Sequence, residues 1–293
     1  MAQSSPSDTP QELIDEIIDY CSGDKETLIA CSLTSRTWVH RTRKHLFSKL
    51  TLTDKTFPVW CGTVVTPAAG SRPQQQAVPN LHPSVSSSYT PHCLSSYVTS
   101  LHLVPTYSST SPNNLGAHKL FQAKSHLSAF TNLKSLTFTA VSFLAFSHAT
   151  LKACFGSLAE TVHDLKLSMC LLDEDKFSPF LRLFTRLESL RVDGNTWHPS
   201  VYSLKMKTFE KNQITLRGSF TASKFSDKNQ GMFDSLAAAK MEYHTITFGY
   251  NHHSTVPKLS VLLAKCKDHL ETLSLTALEW NPGPLDGKSS FCL

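Results

Sequence analysis

The sequence predicts an α/β fold: a small helical module in front of a longer array of strand–helix units with parallel strands. Three observations predict it. The first fifty residues hold short helical patterns crowded with large apolar side chains. A stretch rich in Pro and Ser follows. A short apolar motif then recurs from Val98 to Leu275.

The expected divisions are a disordered N-terminus over 1–8, the helical module over 9–52, a flexible linker or loop over 53–96, and the repeat domain over 97–293. The first helix should begin at Thr9-Pro10. Thr9 can cap the amide of Glu12, and Pro10 suits the first helical position, where a missing N–H costs nothing. Leu13, Ile14, Ile17 and Ile18 then share one face at helical spacing. Asp24 can cap a second helix carrying Leu28, Ile29 and Leu33. Ser35 can cap a third, with Trp38, Val39 and Leu46 inward and Arg36, Arg41, Arg43 and Lys44 outward. Leu50-Thr51-Leu52 alternates like a strand. A module this short has too little interior to hide all its apolar side chains.

Residues 62–96 are punctuated by Pro67, Pro73, Pro79, Pro83 and Pro91 and are poor in large apolar residues. Such a segment buries too little surface to offset the entropy of ordering it.

Beyond it the unit apolar-x-x-apolar-x-apolar recurs, as in Val98 to Leu103, Leu133 to Phe138, Val162 to Leu167, Leu187 to Val192, Tyr243 to Phe248 and Leu270 to Leu275. A weaker copy is read at Ile214-Thr215-Leu216. The central positions fall 24 to 35 residues apart. Helical patterns lie between the units, as at Leu151 to Leu158, Phe177 to Phe184 and Val256 to Leu263. One strand–helix unit cannot cover its own apolar face, so neighbours must stack. This spacing is the signature of an irregular leucine-rich repeat solenoid; an ordinary α/β domain with a parallel sheet is the alternative. Eighteen residues follow Leu275, and Asn281-Pro282-Gly283-Pro284 reads as coil; a solenoid normally needs a capping unit, so either this tail covers the last strand or the array is a shortened one.

Pro10 to Ile18, Ala30-Cys31-Ser32-Leu33-Thr34-Ser35-Arg36-Thr37-Trp38 and His45-Leu46-Phe47 together resemble an F-box of the fungal type, over about residues 9 to 52. The family usually begins Leu-Pro, and here Thr9 stands in place of that Leu. The repeat region is similar to the C-terminal halves of many F-box proteins. The resemblance implies docking onto the Skp-type adaptor of a cullin-based ubiquitin ligase. Matched residue by residue, the adaptor-binding set would be Pro10, Leu13, Ile14, Ile17, Leu28, Leu33 and Trp38. It implies a non-enzymatic substrate receptor for an unidentified protein target. A protein-binding scaffold outside a ligase, built on the same two modules, is the alternative.

Residues between the repeated apolar positions should face outward by alternation. Among them His102, Lys166 and Arg191, joined by Lys134, form a candidate target-binding strip with a modest basic character. No phosphate-cradling glycine loop, nucleophile elbow or paired metal-ligand motif occurs in the chain. No catalytic residue, metal or cofactor is therefore expected. Net charge is +5, with Lys and Arg scattered rather than massed, which argues against a nucleic-acid partner. The eight cysteines include no Cys-x-x-Cys pair, and the polar N-terminus carries no apolar signal region. Reduced thiols in a cytoplasmic or nuclear protein, with no membrane span, are the expectation.

Overall fold

The computed structural model describes residues 10–53, 56, 92–105, 126–144, 146–198, 215–225, 236, 240–250 and 256–277. It is a mixed α/β molecule built on one parallel sheet. Helices α1 (Gln11–Tyr20), α2 (Lys25–Thr34) and α3 (Arg36–Leu46) come first. Strands β1 (Lys49–Thr53), β2 (Ser100–Val104), β3 (Ser135–Thr139) and β4 (Asp164–Ser168) follow. Then come β5 (Leu171–Asp173), β6 (Ser189–Asp193), β7 (Thr196–His198), β8 (Thr215–Phe225), β9 (Lys240–Tyr250) and β10 (Thr272–Ala277). Helices α4 (His148–Phe155), α5 (Glu174–Leu181) and α6 (Val256–Cys266) lie between strands.

The main sheet has eight strands in the order β1-β2-β3-β4-β6-β8-β9-β10, and every neighbouring pair is parallel. Successive main-sheet strands are thus spatial neighbours. Register carries the repeat across the sheet: Leu50, Leu101, Leu136, Leu165, Leu190, Phe220, Ile246 and Leu273 stand side by side. β5 and β7 form a short second parallel pair, extended by a bridge between Ser142 and Leu171.

Two expectations about extent change. Leu50 to Leu52, read as a strand closing the helical module, do form part of a strand, β1, which pairs with β2 in the main sheet. The two ends of the Pro/Ser-rich stretch therefore leave from and return to adjacent strands of one sheet; most of that stretch lies outside the described residues. The weak copy of the motif is also misplaced: Phe220, not Ile214, aligns with Leu190 and Ile246. Arg217 occupies the first apolar position of that unit, and the register shifts between Gly218 and Ser219, which hides the copy from a hydrophobic count.

The strands start in a common way. One backbone carbonyl of each unit accepts two N–H groups from the next. Ser48 O accepts from Thr99 and Ser100, Thr99 O from Lys134 and Ser135, Lys134 O from His163 and Asp164, and His163 O from Glu188 and Ser189. They also end in a common way, in residues of positive φ at equivalent positions: Ala140 (58°), Met169 (52°) and Gly194 (57°). The N–H of each donates to the following strand, at Ser168, Asp193 and Ser223 respectively.

The inward residues build one apolar core. Its centre is aromatic. Phe138 of β3, Phe143 after it, Phe155 of α4 and Phe180 of α5 form a cluster with centroid distances of 5.1 to 6.0 Å, mostly edge to face. Edge-to-face pairs of this kind add about 0.5–1.5 kcal/mol each beyond the area they bury. Helix α5 begins at Glu174, within the Asp173-Glu174-Asp175 run.

Candidate protein-binding surfaces

The helical module is held by polar contacts at its corners. Asp24 caps α2, accepting from the amides of Glu26 (3.0 Å) and Thr27 (3.2 Å) and from the Thr27 hydroxyl (2.6 Å). These donors, the Thr27 hydroxyl first, hold the Asp24 carboxyl below its ordinary value. Ser35 caps α3 through the amide of Thr37. Pro10, however, is the N-cap of α1 rather than its first residue, and among the described residues no side chain caps that helix. Its carbonyl serves instead, accepting from Leu13 and Ile14; Thr9 lies outside the described residues.

Asp19 of α1 ties down α3. Its carboxylate accepts from both Nε and a terminal nitrogen of Arg41, and His45 Nε2 lies 2.6 Å from Oδ1. The Arg41 bonds first, then His45, hold Asp19 well below the usual carboxylate range. Arg41 is thus committed to this bridge rather than simply pointing outward. Arg43 is buried, also against expectation, whereas Arg36 and Lys44 are exposed.

This polar frame divides the apolar residues into two sets. Ile18 and Leu28 are buried. Leu13, Ile17 and Tyr20, spaced along α1, are 50, 57 and 93 % exposed, and Leu33 of α2 is 70 % exposed. Ile29, one turn before Leu33, is also exposed. Of the seven residues matched to adaptor binding, Pro10, Leu13, Ile17 and Leu33 are exposed, and Ile14 and Trp38 are half-buried. Leu28 presents no surface and belongs to the interior. Tyr20 and Ile29 were missed as exposed members, although the i, i+4, i+7 spacing from Leu13 and Ile17 points to Tyr20.

No protein-family model matches this chain, and no curated protein matches it either.

The outward face of the sheet is a second surface. Thr51, His102, Thr137, Lys166, Arg191, Thr221, Thr247 and Ser274 form one row across it. Flanking positions are again largely Ser and Thr, among them Ser100, Ser135, Ser189 and Ser219. Lys166 and Arg191 are direct neighbours on β4 and β6. Two acids flank them two residues away, Asp164 on β4 and Asp193 on β6, so the face is charge-balanced rather than basic. Asp193 accepts from the Ser223 hydroxyl at 2.6 Å. His102 lies 2.8 Å from the Thr139 hydroxyl. Burial, then the charge of Lys166, lowers its pKa.

Lys134 does not join this strip. It precedes β3, in the row of strand-start residues with Thr99, His163 and Glu188, whose carbonyls link the units. In that row His163 Nδ1 lies 2.9 Å from Glu188 Oε1.

Two structural side chains were also missed. In the leucine-rich repeat pattern the sixth-position apolar residue is followed three residues later by Asn or Cys. Cys170 follows Leu167 in this way, and Asn195 follows Val192. Both are buried. Asn195 Oδ1 accepts from the Cys170 amide at 2.6 Å, and Nδ2 donates to Leu167 O at 3.1 Å. The Cys170 thiol reaches the carbonyls of Ser168 and Phe138. Burial pushes that thiol up to about 12, which leaves it inert as a nucleophile. Extending the motif by three residues would have found both.

Among the described residues no three His, Cys, Asp or Glu side chains are grouped to hold a metal ion. Among them, too, no helix is long and apolar enough to cross a membrane.

Proposed function

We propose that this chain is a substrate receptor of a Skp–cullin–F-box ubiquitin ligase, with an F-box docking the adaptor and a leucine-rich-repeat array holding a protein target. The observation that carries the reading is the exposed aliphatic set Leu13, Ile17 and Leu33, with Tyr20 beside them, on a module whose own interior is filled by Ile18 and Leu28. Large apolar side chains left in water along one helix, as Leu13, Ile17 and Tyr20 are on α1, suit a surface that another polypeptide covers. The parallel strands in chain order, with Cys170 and Asn195 bonding one unit to the next, support the repeat reading.

The mechanism is proximity. The receptor raises the effective concentration of a target beside the ligase's transfer machinery, and no residue of this chain takes part in chemistry. The row from His102 to Arg191 is the target-facing surface, and its mixed charge and many hydroxyls suit polar recognition.

The test is retention of a purified Skp-type adaptor by the full chain. Wild type is expected to retain it, and Leu13→Asp with Ile17→Asp is expected to lose at least tenfold in affinity while keeping the wild-type circular dichroism. No retention by wild type, or equal retention by both, removes the assignment.

A further inference from the structure

The last strand of the sheet, β10, has no neighbour on its outer edge among the described residues. Its two inward leucines are open: Leu273 is 42 % and Leu275 is 51 % exposed, whereas Ile246 and Phe248, their register partners on β9, are 0 and 1 % exposed. At the opposite edge Leu52 of β1 is buried. Both β1 and β10 are edge strands among the described residues, and the apolar residues of β10 are the more exposed.

An uncharged strand with free backbone groups is a template for pairing with another strand. The sequence of β10 says which one. Thr272-Leu273-Ser274-Leu275-Thr276 reads the same in both directions. We propose that β10 is a homodimerisation edge, pairing antiparallel with β10 of a second copy about a twofold axis through Ser274. This inference stands apart from the ligase reading.

In that register Leu273 faces Leu275 of the second copy, Thr272 faces Thr276, and Ser274 faces itself. Residues directly opposite in an antiparallel pair share a face. Four leucines therefore meet on the apolar side, and hydroxyls meet hydroxyls on the other. Glu271, just before the strand, falls opposite Ala277 of the second copy, so no like charges meet. A slip of one residue would place each leucine on the wrong face, so the apolar side enforces the register.

Sedimentation equilibrium of the full chain from about 1 to about 100 µM should show a concentration-dependent dimer. Leu273→Lys with Leu275→Lys should return it to monomer with an unchanged circular dichroism spectrum. Position-specific crosslinking gives a second readout. Across the axis the Cα atoms of position 274 would lie about 4.5–5.5 Å apart, within disulfide reach. Ser274→Cys should form a dimer on non-reducing gels under mild oxidation, well above wild type, while Thr272→Cys should not. A monomer at every concentration, as when the chain covers its own leucines, overturns the proposal. So does a dimer indifferent to the lysines, or equal crosslinking at 272 and 274.

Discussion

Gly218 on β8 lies directly against the backbone carbonyl of Glu188, so that a side chain at this position would run into the carbonyl oxygen. The close approach has a purpose. The register shifts between Gly218 and Ser219, and Ser219 N then reaches Glu188 O at 2.7 Å, restoring the link that the other strands make. The cost is a φ of 78° at Gly218, a region glycine alone occupies freely.

Gly218→Ala is therefore expected to destabilise the protein by about 1–3 kcal/mol, from left-handed strain and the collision together. Gly23, whose Cβ would meet nothing within 4 Å, supplies the control: Gly23→Ala should lie within about 0.5 kcal/mol of wild type. Equal midpoints for the two variants in urea denaturation would refute the account.

The Asp19 bridge makes the helical module sensitive to acid. Because folding depresses the Asp19 pKa, its contribution is complete above the unfolded value of about 3.9 and is lost as pH falls through that value toward the folded one. Asp19 and Arg41 are partly exposed, so the contribution is modest, about 1 kcal/mol or less. Asp19→Asn should be less stable than wild type at pH 6, and the gap should begin to narrow as pH falls below about 4, closing only at still lower pH. A gap that holds constant over that range would exclude the bridge as its source.

Asn195 is predicted to be the most costly polar residue to replace in the repeat region. Asn195→Leu strands the Cys170 amide and the Leu167 carbonyl in an apolar interior. Each orphaned group costs about 1–3 kcal/mol, so a loss of about 2–5 kcal/mol is expected. Thermal unfolding of Asn195→Leu beside Thr137→Ala, a substitution on the outward row, checks it. Similar melting temperatures would show that the side chain is dispensable.

Met169 offers a gain. It is exposed and holds φ 52°, where an ordinary residue is strained by about 1–2 kcal/mol. Glycine relieves that strain, and its added freedom in the unfolded chain offsets about 0.4–1 kcal/mol. Met169→Gly should thus stabilise by about 0.5–1 kcal/mol, seen as a higher melting temperature. A lower one would mean that the left-handed turn carries no strain at this position.

The parts of this molecule that a sequence reveals are those set by one side chain at a time. Leucine at 101, 136, 165 and 190 marks strands because each strand must bury its own middle. Phe220 escaped because Arg217 and a register shift break the pattern around it. The helical boundaries near Asp24 and Ser35 were legible, since a cap is local chemistry. The fate of Leu28, Arg41 and Arg43 was not, because it depends on how α1, α2 and α3 pack on one another. Lys134 looked like a neighbour of Lys166 in a linear motif, but it lies before its strand and shares a row with backbone-linking residues instead.

Ser48 joins the last helix to the first repeat through the same forked carbonyl bond that joins each repeat to the next. His40 of α3 reinforces the junction, with its ring 2.9 Å from the Tyr97 hydroxyl just ahead of β2. The mounting behaves as a keyed shaft and not as a swivel. On the receptor reading proposed above, whatever grips α1 would set the bearing of β2 and, strand by strand, of the platform beyond it, so that a target held there would be presented at a fixed angle.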